Sequence, residues 1–272
     1  MIEVVCPAGF HELAGPRASR VWVRGDLVER FADHDLLPAR GTPEGALAPV
    51  PLAGRGGAFR IGWRGVSFPL VYRRALRGGL VAKVNRDRFF DRVPRPFAEV
   101  ALSEVLRSRG VDTPEIVFAV VRHGAGGAYR GAVASRWIEG GRDLADTLDA
   151  LASAGEPADS PRVCAIWRAV GHAVGTLHAA GVLHADLNAR NLLLVDGDDR
   201  ASPGEPRVVI LDLDRSRRSA RLSARDRAAN GARLERSLRK FAGAARITGR
   251  EARRARDEAY AVASVGRAEP TR

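Results

Sequence analysis

One segment constrains this chain more than any other: His184-Ala185-Asp186-Leu187-Asn188-Ala189-Arg190-Asn191. Its spacing is H-x-D-L-x-x-x-N, and its setting matters as much as its letters. Before it, Val163, Ile166, Trp167, Val170, Val174 and Leu177 recur with helical period, and Gly181 supplies a stop. After it, Leu192–Val195 is a short apolar run of strand type. A tight loop between such a helix and such a strand carries both a carboxylate, Asp186, and a carboxamide, Asn191. Asp186 is suited to accept a proton from a hydroxyl group, and Asn191 to offer a neutral oxygen to a metal ion. A helix-capping loop that happens to hold both residues is the plainer reading; the agreement of helix, spacing and strand weighs against it.

A second apolar run, Val208-Val209-Ile210-Leu211, ends in Asp212-Leu213-Asp214. A buried strand that delivers a carboxylate at its end suits a divalent cation, and Asp212, where the run stops, is the better ligand. Asp214 is either a second ligand or a surface residue. Phosphoryl transfer needs parts of this kind: a base that orients the attacking hydroxyl, oxygen ligands for Mg²⁺, and cations or backbone amides around the phosphate oxygens. Gly54-Arg55-Gly56-Gly57 lies between candidate strands and reads equally as a phosphate cradle or an ordinary hairpin turn. His172, His178 and His184 recur every six residues, which keeps them off one helical face. His178 and His184 are therefore read as structural residues rather than metal ligands.

The rest of the chain sorts into two halves. The stretch up to Val50 carries weak signals. From Pro51 to Asp91, glycine turns separate short apolar runs that suit an antiparallel sheet. Pro96–Arg109 predicts a helix with Phe97, Val100, Ala101 and Val105 on one face, and strands follow over Glu115–Arg122 and Gly131–Ile138. The Glu139-Gly140-Gly141 turn marks a boundary, beyond which the pattern is helical, including an Arg- and Ala-rich tail over Arg215–Arg256. The expectation is an α+β, bilobal architecture: an N-lobe over 1–139 with a small antiparallel sheet and a helix, and a mainly helical C-lobe over 140–272.

Composition sets outer limits. The formal net charge of +12 is carried almost wholly by arginine, since Lys83 and Lys240 are the only lysines. Such a chain is drawn to anions, whether nucleotide phosphates, an anionic membrane surface or nucleic acid. Nucleic acid is disfavoured, because neither zinc-ligand spacing nor an RNA-binding aromatic signature accompanies the charge. Cys6 and Cys164 make no disulfide framework. No run approaches the ~18 apolar residues of a spanning helix, and Met1–Ala14 lacks a basic stretch before an apolar core. These features predict a cytoplasmic or peripheral protein.

Taken in order, the residues resemble a known family. A glycine loop is followed by Tyr72-Arg73-Arg74 and Arg77-Gly78-Gly79-Leu80. Arg86-Asp87-Arg88-Phe89, Phe97-Ala98-Glu99, His184–Leu194 and Leu211-Asp212-Leu213-Asp214 then complete the set. Together they look like the lipopolysaccharide kinases, most closely the 3-deoxy-D-manno-octulosonic acid (Kdo) kinases, over roughly Gly54 to Asp214. The resemblance implies a protein-kinase-like fold and a phosphotransferase with an alcohol acceptor. It implies ATP and Mg²⁺, a lipid A-linked Kdo acceptor, and work at the cytoplasmic face of the inner membrane. It makes Asp186 the catalytic base, Asn191 and Asp212 metal ligands, and Gly54, Gly56, Gly57, Arg73 and Glu99 the nucleotide-binding set. Arg73 takes the place of the phosphate-binding cation, with Lys83 of Val81-Ala82-Lys83 as its rival, and Glu99 pairs with it. Ala185 stands where protein kinases carry the Arg of His-Arg-Asp, and no Ala-Pro-Glu segment follows Asp212, so control by activation-loop phosphorylation is not expected. The competing expectations are a kinase for core heptose or another sugar, and a nucleotide-binding pseudokinase or scaffold.

Overall fold

The computed structural model describes residues 5–52, 57–76, 87–195 and 206–265. The chain divides into two compact units. One comprises residues up to Val105 together with Pro114–Trp137, and the other comprises Leu106–Thr113 and the chain from Ile138 onward.

The first unit is built on a seven-stranded antiparallel sheet, in spatial order β1-β2-β6-β7-β5-β4-β3. The strands are β1 (Phe10–Gly15), β2 (Ser19–Arg24), β3 (Ala46–Pro51), β4 (Ala58–Trp63), β5 (Leu70–Arg74), β6 (Ile116–His123) and β7 (Tyr129–Arg136). Strand β6 reads as an unbroken apolar run because both of its faces are covered. Ile116, Ala119 and Val121 join one cluster with Trp22, Phe97 and Val100. Val117, Phe118 and Val120 join another with Phe31, Leu36, Leu37 and Trp63. The first cluster seats the helix α2 (Arg95–Ser108), whose Phe97 ring stacks on Trp22 at a centroid distance of 4.2 Å. Stacked aromatics of this kind anchor an element beyond their area of contact. They hold α2 in the register that sets the position of Glu99, two residues on.

Strands β1 and β2 fall in the stretch whose sequence signals are weak. Alternation in β2 is short but real: Val21 and Val23 enter one cluster and Trp22 the other. Its partner β1 is mostly exposed, and polar pins substitute for apolar pattern. The Glu12 carboxylate accepts from Trp22 Nε1 at 2.8 Å and from Arg20 at 3.0 Å.

The second unit contains α3 (Leu144–Ser153), α4 (Pro161–Ala179), α5 (Ala224–Leu238), α6 (Ala242–Ile247) and α7 (Arg250–Ser264). A small sheet orders β11 (Arg207–Ile210), β10 (Leu192–Val195) and β8 (Arg142–Asp143), and β12 (Arg217–Arg218) pairs with β9 (Val182–Leu183). The units are not the contiguous segments 1–139 and 140–272, because hydrogen bonds tie the end of α2 and the turn after it to the second unit. Ile210 N–H donates to Asp112 O at 2.9 Å, and Arg109 Nη1 donates to Ala180 O at 3.1 Å.

Helix α4 starts at a Ser160 N-cap with Pro161 in its first turn. Two glycines interrupt it, and each lies where α7 makes its approach. A Cβ on Gly175 would lie 2.8 Å from Ala263 Cβ and 2.9 Å from Tyr260 O, and one on Gly171 would collide with Arg256 O. Asp159, just before α4, accepts from the N–H groups of Gly249 and Ala252 at 3.0 and 2.9 Å, fixing the start of α7. Helix α7 is thus locked along α4 at backbone contact.

This packing predicts opposite effects for two glycine substitutions. Gly171→Ala forces α4 and α7 apart and costs about 1–3 kcal/mol, which lowers Tm by about 2–4 °C per kcal/mol for a chain of this size. Gly231→Ala in α5, where a Cβ meets nothing within 4 Å, stabilises by about 0.5–1 kcal/mol. Thermal unfolding of the two variants beside the wild type checks both signs.

Candidate active site

Each unit holds candidate side chains of its own. In the first, Arg73 lies on β5, between Ala58 of β4 and Val133 of β7. Its Nη2 donates to both carboxylate oxygens of Glu99 on α2, at 2.6 and 2.8 Å. The glutamate is largely enclosed, at 11% side-chain exposure, and the arginine is 30% exposed. Removing either partner of a pair enclosed in this way would leave the other charge uncompensated, and the double contact fixes the guanidinium plane. The neighbouring Arg74 does different work, donating to Pro38 O and Ala39 O at 3.1 and 3.0 Å and so holding that loop to the sheet. Gly57 adopts φ +80 at the entry to β4, and a Cβ there would come within 2.5 Å of Leu76 Cδ1. Gly54, Gly56 and Lys83 lie outside the described residues.

In the second unit, the loop after β9 carries Asp186 and Asn191, and Asp212 follows β11. Asn188 N-caps a short 3-10 turn over Ala189–Asn191, its Oδ1 accepting from Arg190 and Asn191 N–H at 2.9 and 3.1 Å. Its Nδ2 donates to Asp186 Oδ2 at 3.0 Å, which orients that carboxylate. Asn191 Nδ2 donates to Asp186 O at 2.9 Å, and this commits its nitrogen to the loop and leaves Oδ1 as its metal-type ligand atom. The Asp212 segment is clasped to the same loop through Leu211. Leu211 N–H donates to Asn191 O at 2.9 Å, and Leu211 O accepts from His184 Nε2 at 2.8 Å. The other ring nitrogen, Nδ1, accepts from Asp186 N–H at 3.0 Å. His184 is therefore the neutral Nε2–H tautomer, bridging the residue before Asp212 to the amide of Asp186.

Asp212 itself is exposed and adopts φ +58, a left-handed conformation that costs an L-residue free energy. Such strain persists where surrounding structure over-determines it, and here the Leu211 clasp does so. Among the described residues no three His, Cys, Asp or Glu side chains form a metal cage. One carboxylate and one amide oxygen instead fit a small hard cation that keeps waters and substrate oxygens as its remaining ligands.

Three further residues hold the loop, and the sequence gives them little signal. Asn230, buried in α5, donates from Nδ2 to His184 O at 2.8 Å, and its Oδ1 lies 3.3 Å from His184 N and 3.0 Å from His178 Nε2. Ser237 Oγ accepts from Ala189 N–H at 3.1 Å, and Ser216 Oγ from Ala185 N–H at 3.2 Å. Serine and asparagine within an Arg- and Ala-rich helical stretch read as surface residues until tertiary structure buries them.

Burial pushes both His184 and His178 below the ordinary histidine value of 6.5. The unfolded chain therefore binds protons that the folded chain refuses, and stability falls as pH drops below about 6.5 toward the lowered folded values. Protonation of His184 also removes the acceptor that holds Asp186 N–H. Tm and turnover should decline together from pH 7 to pH 5.5, as measured by thermal unfolding and initial rates on one buffer series.

Residues 55–256 match the family described as lipopolysaccharide kinase (Kdo/WaaP). A 3-deoxy-D-manno-octulosonic acid kinase of Xanthomonas euvesicatoria is 36% identical over 222 residues, covering 79% of this chain and 78% of the relative. One of Stenotrophomonas maltophilia is 38% identical over 156 residues, covering 55% of this chain and 56% of the relative. Among solved structures, WaaP in complex with acyl carrier protein shares the fold with a TM-score of 0.53 at 18% identity, covering 79% of this chain and 78% of that one. The fold is thus the kinase-like α+β fold, and the chain belongs to the lipopolysaccharide kinase (Kdo/WaaP) family.

Proposed function

We propose that this protein transfers the γ-phosphoryl group of ATP to a hydroxyl of Kdo in the lipopolysaccharide inner core, on a lipid A-linked acceptor. The observation that carries the reading is the Leu211 clasp, which ties the loop of Asp186 and Asn191 to the strand end at Asp212 through His184 and Asn191. The family and its Kdo-kinase relatives support the sugar acceptor.

In this mechanism Asp186 accepts the proton of the acceptor hydroxyl as its oxygen bonds to the γ-phosphorus. The bond from the γ-phosphorus to the bridging oxygen breaks, and ADP departs with that electron pair. Asn191 and Asp212 would hold Mg²⁺, which would neutralise charge on the phosphate oxygens. Arg73, fixed by Glu99, binds phosphate oxygens with a planar fork where a lysine would offer a point charge. Gly54, Gly56 and Gly57 are assigned to nucleotide binding in this proposal. No helix among the described residues is long and apolar enough to cross a membrane. A basic chain of net charge +12 is suited to bind peripherally at an anionic cytoplasmic membrane face, where a phosphorylated glycolipid acceptor resides.

Radiolabelled ATP and Mg²⁺ supplied with Kdo-lipid A, with a heptose-containing core and with free sugars test the acceptor. Label is expected on Kdo-lipid A; label on heptose alone would retain the kinase and reject this acceptor. Asp186→Ala should lower kcat about 10²–10⁴-fold with ATP binding retained. A pseudokinase would bind ATP equally in both proteins and turn over in neither. Arg73→Lys should raise KM for ATP about tenfold, the loss of about 1.4 kcal/mol of phosphate binding. An unchanged KM would assign phosphate binding to another cation.

A further inference from the structure

The Arg-rich tail includes one helix that is linked to the Asp186 loop through two buried side chains, His178 and Asn230. Tyr260 on α7 lies with its hydroxyl 2.8 Å from His178 Nδ1, and His178 Nε2 lies 3.0 Å from Asn230 Oδ1. Asn230 in turn pairs with both the N–H and the C=O of His184. That double pairing settles the orientation of the amide, since the reversed amide would set its NH₂ against the His184 N–H. With Oδ1 as acceptor, His178 carries its proton on Nε2, and Nδ1 must accept the Tyr260 O–H. Burial holds the Tyr260 phenol above its ordinary pKa, so it remains a donor through the neutral range. Each donor in the row faces one acceptor, and the row ends at the Asp186 N–H and the Leu211 carbonyl.

Asn230 and His178 are buried polar groups at 7% and 2% exposure, which is costly unless every atom is paired. Gly171 and Gly175 weaken α4 as a helix, yet they allow the backbone approach of α7 that places Tyr260 beside His178. We infer that Tyr260 is a positioning residue for the transfer reaction: its hydroxyl, acting through His178 and Asn230, holds the His184 backbone and with it the Asp186 amide. The C-terminal helix is then part of the catalytic apparatus, whatever its exposed arginines meet.

This inference rests on Asp186 as the base, so its test includes one readout that needs no turnover. In Tyr260→Phe, hydrogen exchange in a peptide covering residues 182–191 should quicken, with exchange in β6 and α3 unchanged. With Kdo-lipid A as acceptor, kcat should fall about three- to tenfold, the equivalent of one hydrogen bond, while KM for ATP stays within twofold. In an Asn230→Ala background the same substitution should have no further effect on kcat, because the row is already cut. His178→Phe replaces Asn230→Ala if that variant does not fold. Arg254→Ala, on the exposed side of α7, serves as the control and should match the wild type. Exchange over 182–191 unchanged in Tyr260→Phe would overturn the inference, and so would fully additive losses of kcat in the double variant. A wild type that turns over no acceptor would instead remove the kinase reading, leaving the exchange result to stand by itself.

Discussion

The site in the second unit depends on a single imidazole held neutral. His184 is buried, donates from Nε2 to Leu211 O and accepts at Nδ1 from Asp186 N–H. A lysine or arginine at that position has no acceptor to offer, and a carboxylate has no donor. Only a group with one of each, at this reach, can join two backbone segments that need opposite partners. Because Leu211 N–H also pairs with Asn191 O, Asp212 leaves the strand in a left-handed conformation at a place set by the loop of Asp186. The proposed base and the proposed metal ligands thus share one rigid frame, as in-line transfer requires.

The first unit solves a different problem. Its Arg73 and Glu99 come from separate elements, and their meeting depends on how α2 lies on the sheet. Trp22 stacked on Phe97 fixes that placement, and the double-faced burial of β6 gives the sheet a stiff centre. The enclosed Glu99 orients the guanidinium of Arg73, the group proposed to bind phosphate where most kinases use an ammonium. Arginine here trades a mobile charge for a fixed plane.

Much of this was legible in the sequence where period and punctuation agree. The helix expected over Pro96–Arg109 is α2, Arg95–Ser108, and the strands expected near Glu115–Arg122 and Gly131–Ile138 are β6 and β7. The apolar stripe from Val163 to Leu177 lies within α4. Strands β1 and β2 were not legible, because the alternation in β2 is short and β1 is pinned to it by Glu12, which accepts from Arg20 and Trp22. Nor was the route of Leu106–Thr113 into the second unit, which depends on backbone partners distant in sequence such as Asp112 and Ile210. Within the site, residues with a motif around them stood out, while Asn230, Ser216 and Ser237 did not. Their meaning lies entirely in which distant backbone group each one meets.

Phosphorylation of a Kdo hydroxyl can be read by mass spectrometry of Kdo-lipid A after incubation with the protein, ATP and Mg²⁺. The expected result is the gain of one phosphoryl group, retained on the Kdo fragment when the glycolipid is broken. A gain located on the lipid A glucosamines, or no gain while other sugars are phosphorylated, would contradict it.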